Sequence, residues 1–297
     1  MSDVVKLSGL LFIFLLSACD QTSLPWNETP AIKLTEEQIR ARIDLQQELV
    51  GLQTQLEQFQ STIDESQARL KLIRSKHGDK FIADQVQYGG KQFLGESQAS
   101  VAIVEFTDYQ CPYCARHVAE VMPLLKRYYI DKGKLRYHVR DFPLAIHSQA
   151  KYAAVVASCA GEQGRYWQMH DVLFKNQKRL NSRLYLGLSR QLGLDPEKLS
   201  DCLIDSDSIK NVDADTFYGQ SLGVGSTPKF FVGLVDGDKI IQVIMIKGAQ
   251  PYSYFSEVID LLIDMDLATK AMQSSYLRKV TLKGEISRVE GDLSAYK

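Results

Sequence analysis

Apolar and polar positions recur with different periods along the chain, and these periods predict its elements. Residues 101–106 are an apolar, β-branched run containing one carboxylate, which predicts a strand buried on both faces. Residues 134–140 alternate as a second strand, while residues 230–232 and 239–246 flank an Asp-Gly turn and predict a hairpin. Between these strands, the pattern from about residue 148 to 221 is helical. The chain is therefore predicted to be an α/β protein.

A long helix is predicted over residues 35–77, before the first strand. It begins at a capping box formed by Thr35 and Gln38 and ends near Gly78. One seam recurs at alternating spacings of four and three: Leu45, Leu49, Leu52, Leu56, Phe59, Ile63, Ser66, Leu70 and Ile73. This heptad predicts a coiled-coil-like helix.

Two partners for that seam are open: the helix's own domain, or another copy of the chain. A stripe of two positions in seven is narrower than the apolar face of a helix that packs on its own domain. Association between copies is therefore favoured, with a homodimer expected and a trimer left open.

The chain starts with a predicted targeting segment, residues 1–18. Lys6 precedes a short apolar run that cannot span a bilayer. The sequence Leu-Ser-Ala-Cys ending at Cys19 resembles a bacterial lipobox, which implies cleavage before Cys19 and a lipid anchor on its thiol. Asp20 resembles an inner-membrane retention signal, so the periplasmic face of that membrane is expected, with the outer membrane as the alternative. A simple cleaved signal with Cys19 incidental is the other interpretation, and residues 19–34 are a polar linker.

Composition narrows the function classes. The chain has 297 residues, 45% of them hydrophobic, which is enough for a sizeable core. Its net charge of −1 provides no basic surface for nucleic acid, and no motif predicts a cofactor. A final amphipathic helix is predicted over residues 252–264, and residues 267–297 stay unassigned.

The candidate chemistry lies where the first strand ends, at a Cys-x-x-Cys sequence. Pro112 fits the first turn of a helix, which places Cys111 at the helix N-terminus, where free N–H groups stabilise a thiolate. Cys114 follows three residues later on the same face, close enough for a disulfide. The pattern predicts thiol–disulfide exchange.

Half of a zinc site has the same sequence signature. A zinc site needs two more ligands at short spacing, whereas Cys159 and Cys202 stand apart and no His pair has the required separation. No metal site is predicted.

Two further residues refine the redox interpretation. Glu105 lies inside the apolar strand, six positions before Cys111. If buried, its carboxyl has a raised pKa and exchanges a proton with Cys114; the alternative is an acid at a strand end that faces solvent. Pro228 precedes an aromatic, β-branched run and fits the first position of a strand, with its cis or trans state left open.

Together, Glu105, the Cys-Pro-Tyr-Cys sequence and Thr227-Pro228 resemble the DsbA family of thioredoxin-fold oxidoreductases. The likeness extends over about residues 80–266 and includes the sequence Arg-Asp-Phe-Pro-Leu at 140–144. It implies a thioredoxin-like fold with a helical insert over about residues 148–221.

The resemblance also implies residue roles. Cys111 would be the exposed nucleophile, Cys114 the resolving thiol and Glu105 the buried acid. Pro112 and Tyr113 would be the dipeptide between the cysteines. Thr227 and Pro228 would form a cis-proline loop against the disulfide.

The remaining chemistry-bearing side chains are interpreted as structural. Cys159 and Cys202 are left over in an exported protein, which favours a structural disulfide, as some family members have in this region. Two separate buried thiols are the alternative. His138, His147 and His170 are expected to be structural or loop residues.

The predicted function is disulfide formation or isomerisation in exported, cysteine-containing clients, with isomerase or reductase capacity. Thr before the proline, the Pro-Tyr dipeptide and the oligomerising helix look like periplasmic isomerases, whereas the helical insert looks like DsbA. The alternatives are a mainly oxidising enzyme and, in another class, a membrane-tethered, non-catalytic holdase. The expected redox partner is a membrane protein, either a quinone-linked oxidase or a thiol reductase.

Overall fold

The structure is a computed structural model that describes residues 35–76, 83–89 and 92–294. The predicted signal segment, the acylation site at Cys19 and the linker 19–34 lie outside the described residues. Among the residues that are described, no helix combines the length and the apolar character needed to cross a membrane.

One mixed sheet organises the described residues, with strand order β1-β6-β5-β3-β4-β2. Its strands are β1 (Gln85–Gln87), β2 (Phe93–Leu94), β3 (Val101–Thr107), β4 (Leu135–Asp141), β5 (Lys229–Asp236) and β6 (Lys239–Lys247). Strands β3 and β4 pair in parallel, while β5 pairs antiparallel with both β3 and β6. All seven residues of β3 are buried, because β3 is flanked by strands on both edges and covered on both faces.

Helices cover the sheet and fill the connection between β4 and β5. They are α1 (Glu36–Lys76), α2 (Pro112–Glu120), α3 (Met122–Tyr128), α4 (Ala150–Glu162), α5 (Tyr166–Lys175), α6 (Ser182–Gln191), α7 (Pro196–Ile204), α8 (Ser206–Ser221) and α9 (Tyr252–Ser294). Helix α2 starts five residues after β3 ends, and α4 to α8 form the helical insert. The predicted fold class, a thioredoxin-like α/β core with a helical insert and a long N-terminal helix, is confirmed.

The predicted capping box is present at the start of α1. The Thr35 Oγ1 accepts the Gln38 N–H at 3.2 Å, and the Gln38 Oε1 accepts the Thr35 N–H at 3.0 Å. These two bonds satisfy N–H groups that have no partner inside the helix.

The heptad seam of α1 faces the same chain's C-terminal helix. Ile63, Leu70 and Ile73 are buried where α1 packs along α9. At the far end of this helix pair, Arg278 on α9 pairs with Glu48 on α1 at 2.8 Å. The structure therefore gives the seam an intramolecular partner, the alternative that the sequence analysis did not favour. Association between copies stays a prediction.

The predicted end of the last helix at residue 264 is wrong. Helix α9 continues to Ser294 and crosses residue 266, where the sequence analysis placed a domain boundary. Met265, Ala268 and Leu282 are buried along it. The extension is stable as a helix because α1 covers its apolar side, a contact that the local sequence of α9 does not reveal.

Candidate active site

The turn between β3 and α2 places Cys111 at the N-cap of α2, with Pro112 in the first helical turn. Asp108 holds this turn together: its Oδ1 accepts the N–H groups of Gln110 at 2.7 Å and Cys111 at 3.1 Å. The thiol therefore lies at the positive end of the helix dipole, where a negative charge is stabilised.

The surroundings of Cys111 favour its thiolate. The pKa of Cys111 is lowered to about 5, first by a hydrogen bond from the Cys114 thiol and further by the backbone N–H groups of Cys114 and Tyr113, while burial opposes the shift. In the thiol form, its Sγ donates to the Thr227 carbonyl oxygen at 3.3 Å. At neutral pH the reduced site therefore holds a nucleophilic sulfur.

Cys111 is less accessible than the resemblance implied. Only 3% of the residue is exposed, so the expectation of an exposed nucleophile is corrected. The Thr227 carbonyl contacts its sulfur, and Gln177, which follows α5, donates to its backbone oxygen at 2.7 Å. Tyr113 in the same turn is 56% exposed. Tyr113 is therefore the solvent-exposed member of the turn, while the sulfur of Cys111 is largely covered.

Cys114 behaves in the opposite way. It is fully buried, and burial is the main cause that raises its pKa well above the ordinary value, with Cys111 and Glu105 adding to the shift. Both cysteines are free thiols in this structure. One sulfur of the pair is thus set up as the thiolate and the other as the thiol that keeps its proton.

Glu105 is fully buried in the middle of β3, as the sequence pattern favours. Burial raises the pKa of its carboxyl, and a hydrogen bond from the Tyr137 hydroxyl to Oε2 at 2.7 Å opposes that shift. Its other oxygen, Oε1, has no hydrogen-bond partner within the described residues. The carboxylate acts electrostatically on Cys114 and adds to the rise in the pKa of that thiol.

Sequence reasoning missed His117 and Tyr137, which adjoin this acid. His117 lies three residues after Cys114 on the buried face of α2, and its Nε2 is 2.9 Å from the Tyr137 hydroxyl. Tyr137 pairs with Ile103 in the parallel register, two positions before Glu105, so its hydroxyl reaches the carboxyl diagonally. The signal that could have found His117 is its helical spacing from Cys114.

Asp108 and His147 are a second missed pair. The Oδ2 of Asp108 accepts the Leu144 N–H at 2.7 Å and lies 2.8 Å from His147 Nδ1. One buried carboxylate thus joins the turn before Cys111 to the loop after β4. His147, expected to be structural, supports the geometry of the cysteine turn.

The Thr227–Pro228 peptide bond is cis and directly precedes β5. This arrangement places the Thr227 carbonyl against Cys111, although the two residues are 116 positions apart. In the helical insert, Cys159 on α4 and Cys202 on α7 form a disulfide with Cα atoms 5.7 Å apart. No group of three or more His, Cys, Asp or Glu side chains in the described part of the chain is arranged to hold a metal ion.

A strand-to-helix turn with two cysteines, facing a cis proline at the start of an antiparallel strand, defines a thioredoxin-type redox site. The sequence profile of the family described as Thioredoxin matches residues 87–260, more than half of the chain. The chain belongs to the thioredoxin family, and its resemblance to DsbA-type proteins is confirmed.

The chain is similar to parts of several curated proteins and to solved structures. The chain is 31% identical over 153 residues to the probable disulfide bond formation protein D of Bacillus cereus, covering 49% of this chain and 71% of the relative. It is 35% identical over 139 residues to the Na(+)/H(+) antiporter NhaA 1 of Salinispora arenicola, covering 46% of this chain and only 21% of the antiporter. The crystal structure of Wolbachia pipientis alpha-DsbA1 superposes with a TM-score of 0.53 at 25% identity, covering 61% of this chain and 92% of that one.

Proposed function

We propose that this protein is a thiol–disulfide oxidoreductase that forms or rearranges disulfide bonds in exported, cysteine-containing proteins. The observation that carries the proposal is the placement of the two thiols, with Cys111 at the N-cap of α2 against the Thr227 carbonyl and Cys114 fully buried one turn inside the helix. This placement displaces the two thiol pKa values in opposite directions, down to about 5 for Cys111 and well up for Cys114. Binding alone has no use for such a pair, whereas disulfide exchange needs one thiolate and one protonated partner.

In the oxidising direction, a client thiolate attacks Sγ of Cys111 in the Cys111–Cys114 disulfide. The bond between the two cysteines breaks, and Cys114 leaves as a thiolate that takes a proton from Glu105. A second client thiolate then attacks the client sulfur of the mixed disulfide and releases Cys111 as a thiolate. The client loses two electrons and the protein's disulfide gains them. A stabilised Cys111 thiolate is a good leaving group, which favours oxidation of the client.

In the isomerising direction, the reduced Cys111 thiolate attacks a wrong client disulfide and releases one client thiolate. That thiolate attacks another client disulfide, and the mixed disulfide is finally resolved by a client sulfur or by Cys114. We include this capacity because the Thr-Pro and Pro-Tyr sequences resemble those of periplasmic isomerases.

Oligomerisation belongs to the same proposal, with a homodimer first and a trimer second. Although α9 covers the seam of α1, apolar side chains remain exposed on both helices near the Arg278–Glu48 pair. On α1, Ile43 is 46% and Val50 66% exposed; on α9, Leu277 is 68% and Val280 52% exposed. A second helix pair laid against these residues would remove apolar surface from water.

The proposed location is the periplasmic face of the inner membrane, with a lipid on Cys19, or the outer membrane as the second choice. The support is the lipobox-like sequence before Cys19 and the aspartate after it. Mass spectrometry of the N-terminal peptide of membrane-extracted protein tests this: a diacylglyceryl mass on Cys19 is expected, and an unmodified Cys19 would refute the anchor. A membrane oxidase or thiol reductase would then set the redox state of the pair.

The decisive experiment compares the full chain with Cys111→Ser in two assays, refolding of a reduced client and suppression of client aggregation. The enzyme proposal expects disulfide transfer to vanish in Cys111→Ser, with Cys202→Ser included as a variant outside the redox site. A non-catalytic holdase would instead show no transfer even in the unsubstituted protein and equal client protection in both.

The redox state of Cys111 and Cys114 in the cell shows whether the protein mainly oxidises clients or mainly isomerises their disulfides. Alkylation after acid quenching should find Cys111 and Cys114 mainly reduced if isomerisation dominates. A mainly oxidised pair would replace this part of the proposal with the oxidising enzyme.

A further inference from the structure

Glu105 is fully buried, yet as the proton-exchanging acid of the redox site it has to exchange its proton with water in every catalytic cycle. The described residues place no solvent-exposed group on Glu105. Its Oε2 accepts a hydrogen bond from Tyr137, and Tyr137 itself is fully buried. The acid has to regain its proton before Cys114 leaves again as a thiolate, and it has to lose its proton before it can deprotonate Cys114.

A continuous chain of hydrogen bonds leads away from the acid. Tyr137 O lies 2.7 Å from Glu105 Oε2 and 2.9 Å from His117 Nε2. The other ring nitrogen of His117, Nδ1, is buried and has no hydrogen-bond partner within the described residues. Such an unpaired buried nitrogen in a folded protein calls for a role or a partner outside the chain, of which water is the simplest.

His117 also forms part of the wall of a surface cavity of about 330 Å³ beside α2. Its rim contains Arg116 and Glu120, both exposed, and the loop residues Gln250 and Pro251. A cavity of this size holds several waters. His117 therefore adjoins a place where water is available, although its ring is fully buried beneath the cavity wall.

We propose that Tyr137 and His117 relay the proton of Glu105 to water in this cavity. The inference rests on the proposed function and adds the path by which its buried acid is reset. Before the step, Glu105 is protonated and its O–H donates to Tyr137 O. The Tyr137 O–H in turn donates to Nε2 of His117, which carries its own proton on Nδ1. Each proton then moves one place along the chain, and the Nδ1 proton passes to cavity water that reaches the buried ring when the wall residues move.

The products of this step balance. Glu105 becomes a carboxylate, Tyr137 keeps one proton and now donates to Glu105, and His117 is neutral again with its proton on Nε2. The reverse sequence delivers a proton to Glu105 when Cys114 leaves as a thiolate. The aromatic rings of Phe230 and Phe255, at 4.4 and 5.2 Å between ring centroids, surround the imidazole with apolar atoms.

The same burial lowers the pKa of His117 to about 3, with a smaller contribution from His170. The imidazole is therefore neutral at physiological pH and does not trap the proton as a stable cation. A neutral histidine can pass a proton on by exchanging which nitrogen carries it.

The test measures forward and reverse rates of exchange with glutathione in the full chain. His117→Gln is the main variant, because its amide can still hydrogen-bond Tyr137 but does not exchange protons between two ring nitrogens. Tyr137→Phe breaks the chain in the middle. His138→Phe is the matched control, since His138 is a buried histidine on β4 that lies outside the relay, stacked on Tyr88 at 4.3 Å.

A relay affects rates and leaves equilibria alone. We expect His117→Gln to slow both directions by the same factor, roughly tenfold or more, as loss of assisted proton transfer does. The equilibrium constant with glutathione should stay unchanged, and the solvent isotope effect in D₂O should grow because proton transfer becomes rate-limiting. His138→Phe should leave rates and isotope effect as they are.

Two results would overturn the relay. The first is that His117→Gln exchanges with glutathione as fast as the unsubstituted protein; the second is that its rate changes in one direction only and the equilibrium shifts, which marks a structural role. If Tyr137→Phe unfolds, as judged by near-UV circular dichroism, His117→Gln decides alone. If the unsubstituted protein shows no exchange at all, the proposed function is wrong. If the unsubstituted protein exchanges and His117→Gln exchanges equally fast, only the relay is wrong.

Discussion

Cys111 and Cys114 are three positions apart, yet their protons are held in opposite ways. Cys111 receives hydrogen bonds from backbone N–H groups at the start of α2 and from Cys114, whereas Cys114 points into the core beside Glu105. The difference arises because one residue caps the helix and the other lies one turn inside it. The reactivity of the site is therefore a property of two positions in one short turn.

The first prediction concerns the pH dependence of this thiolate. The folded-state pKa of Cys111 is about 5, below that of an ordinary thiol, so the thiolate stabilises the folded reduced protein fully at pH values above the ordinary thiol range. That stabilisation is lost as the pH falls through about 5. Thermal unfolding of the reduced protein should show this loss.

The disulfide form of the same protein has no such thiolate and is the control. As the pH is lowered from 7 to 4, the Tm of the reduced protein should therefore fall relative to the Tm of the oxidised protein. An equal pH response of the two forms would contradict the assignment. In Cys114→Ala, which removes the largest stabilising hydrogen bond, the pH of half-maximal alkylation of Cys111 should rise.

A second prediction at this scale concerns Asp108, whose buried carboxylate accepts hydrogen bonds from the turn and from the loop after β4. Asp108→Asn replaces one accepting oxygen by an N–H₂ group that faces other donors, so about 1–3 kcal/mol of unfolding free energy should be lost. Urea unfolding measures this, with the half-exposed Asp131→Asn as the control. Equal stability of both variants would show that Asp108 does not hold the turn.

At the scale of elements, α1 and α9 stabilise each other. The 41 residues of α1 make a helix about 60 Å long, because each residue of an α-helix adds about 1.5 Å. Neither α1 nor α9 has enough apolar surface to be stable as an isolated helix. Packed side by side, they bury the seam of α1 from Ile63 to Ile73, half-bury its N-terminal part, and bury inward side chains of α9. The helix pair is therefore one unit that is attached to the sheet domain through the first half of α9 and through the end of α1, where Arg74 donates to the Val243 carbonyl oxygen at 2.9 Å.

This pairing predicts very different effects for two leucines on α1. Leu70 is 2% exposed and Leu72 is 53% exposed, although they are two residues apart. Leu70→Ala should lower the unfolding free energy by about 2–5 kcal/mol, as the loss of a buried leucine does, while Leu72→Ala should leave it nearly unchanged. Chemical denaturation of both variants checks the contrast, and similar values would mean that the seam does not face α9.

At the scale of the whole molecule, the redox site and the helix pair have separate surfaces. The exposed residue of the cysteine turn is Tyr113, whereas the exposed apolar residues of the helix pair lie near the Arg278–Glu48 ion pair. An oligomer built through the helix pair would therefore leave each active site available to clients. It would also bring two sites to one assembly, so that one client could meet both.

The corresponding prediction is that Val50→Glu combined with Leu277→Glu converts the proposed dimer into a monomer, because charges replace apolar side chains that are 66% and 68% exposed in the single chain. Light scattering after size exclusion gives the mass. The stability of the monomer fold should be unaffected, which separates dissociation from unfolding. A monomeric unsubstituted protein, or a dimer that survives both substitutions, would remove oligomerisation from the proposal.

Several features could be predicted from local sequence because local periodicity decides them. The unbroken apolar run around Glu105 indicates a strand covered on both faces, and the Cys-Pro-Tyr-Cys sequence after it indicates a helix start with Cys111 at its cap. The capping box at Thr35 follows from two residues three positions apart. In each case the physical cause lies within one or two turns of chain.

Other features depend on which distant segments meet, and only the tertiary structure decided them. The partner of the α1 seam is α9, more than 180 positions away, and the contact between Thr227 and Cys111 depends on how β5 is placed beside β3. Tyr137 and His117 join Glu105 through strand register and helix packing. Sequence determined the cysteine chemistry because a helix terminus creates it locally; tertiary structure determined the access of Cys111, the surroundings of the acid and the partner of the long helix, because burial is a property of the whole fold.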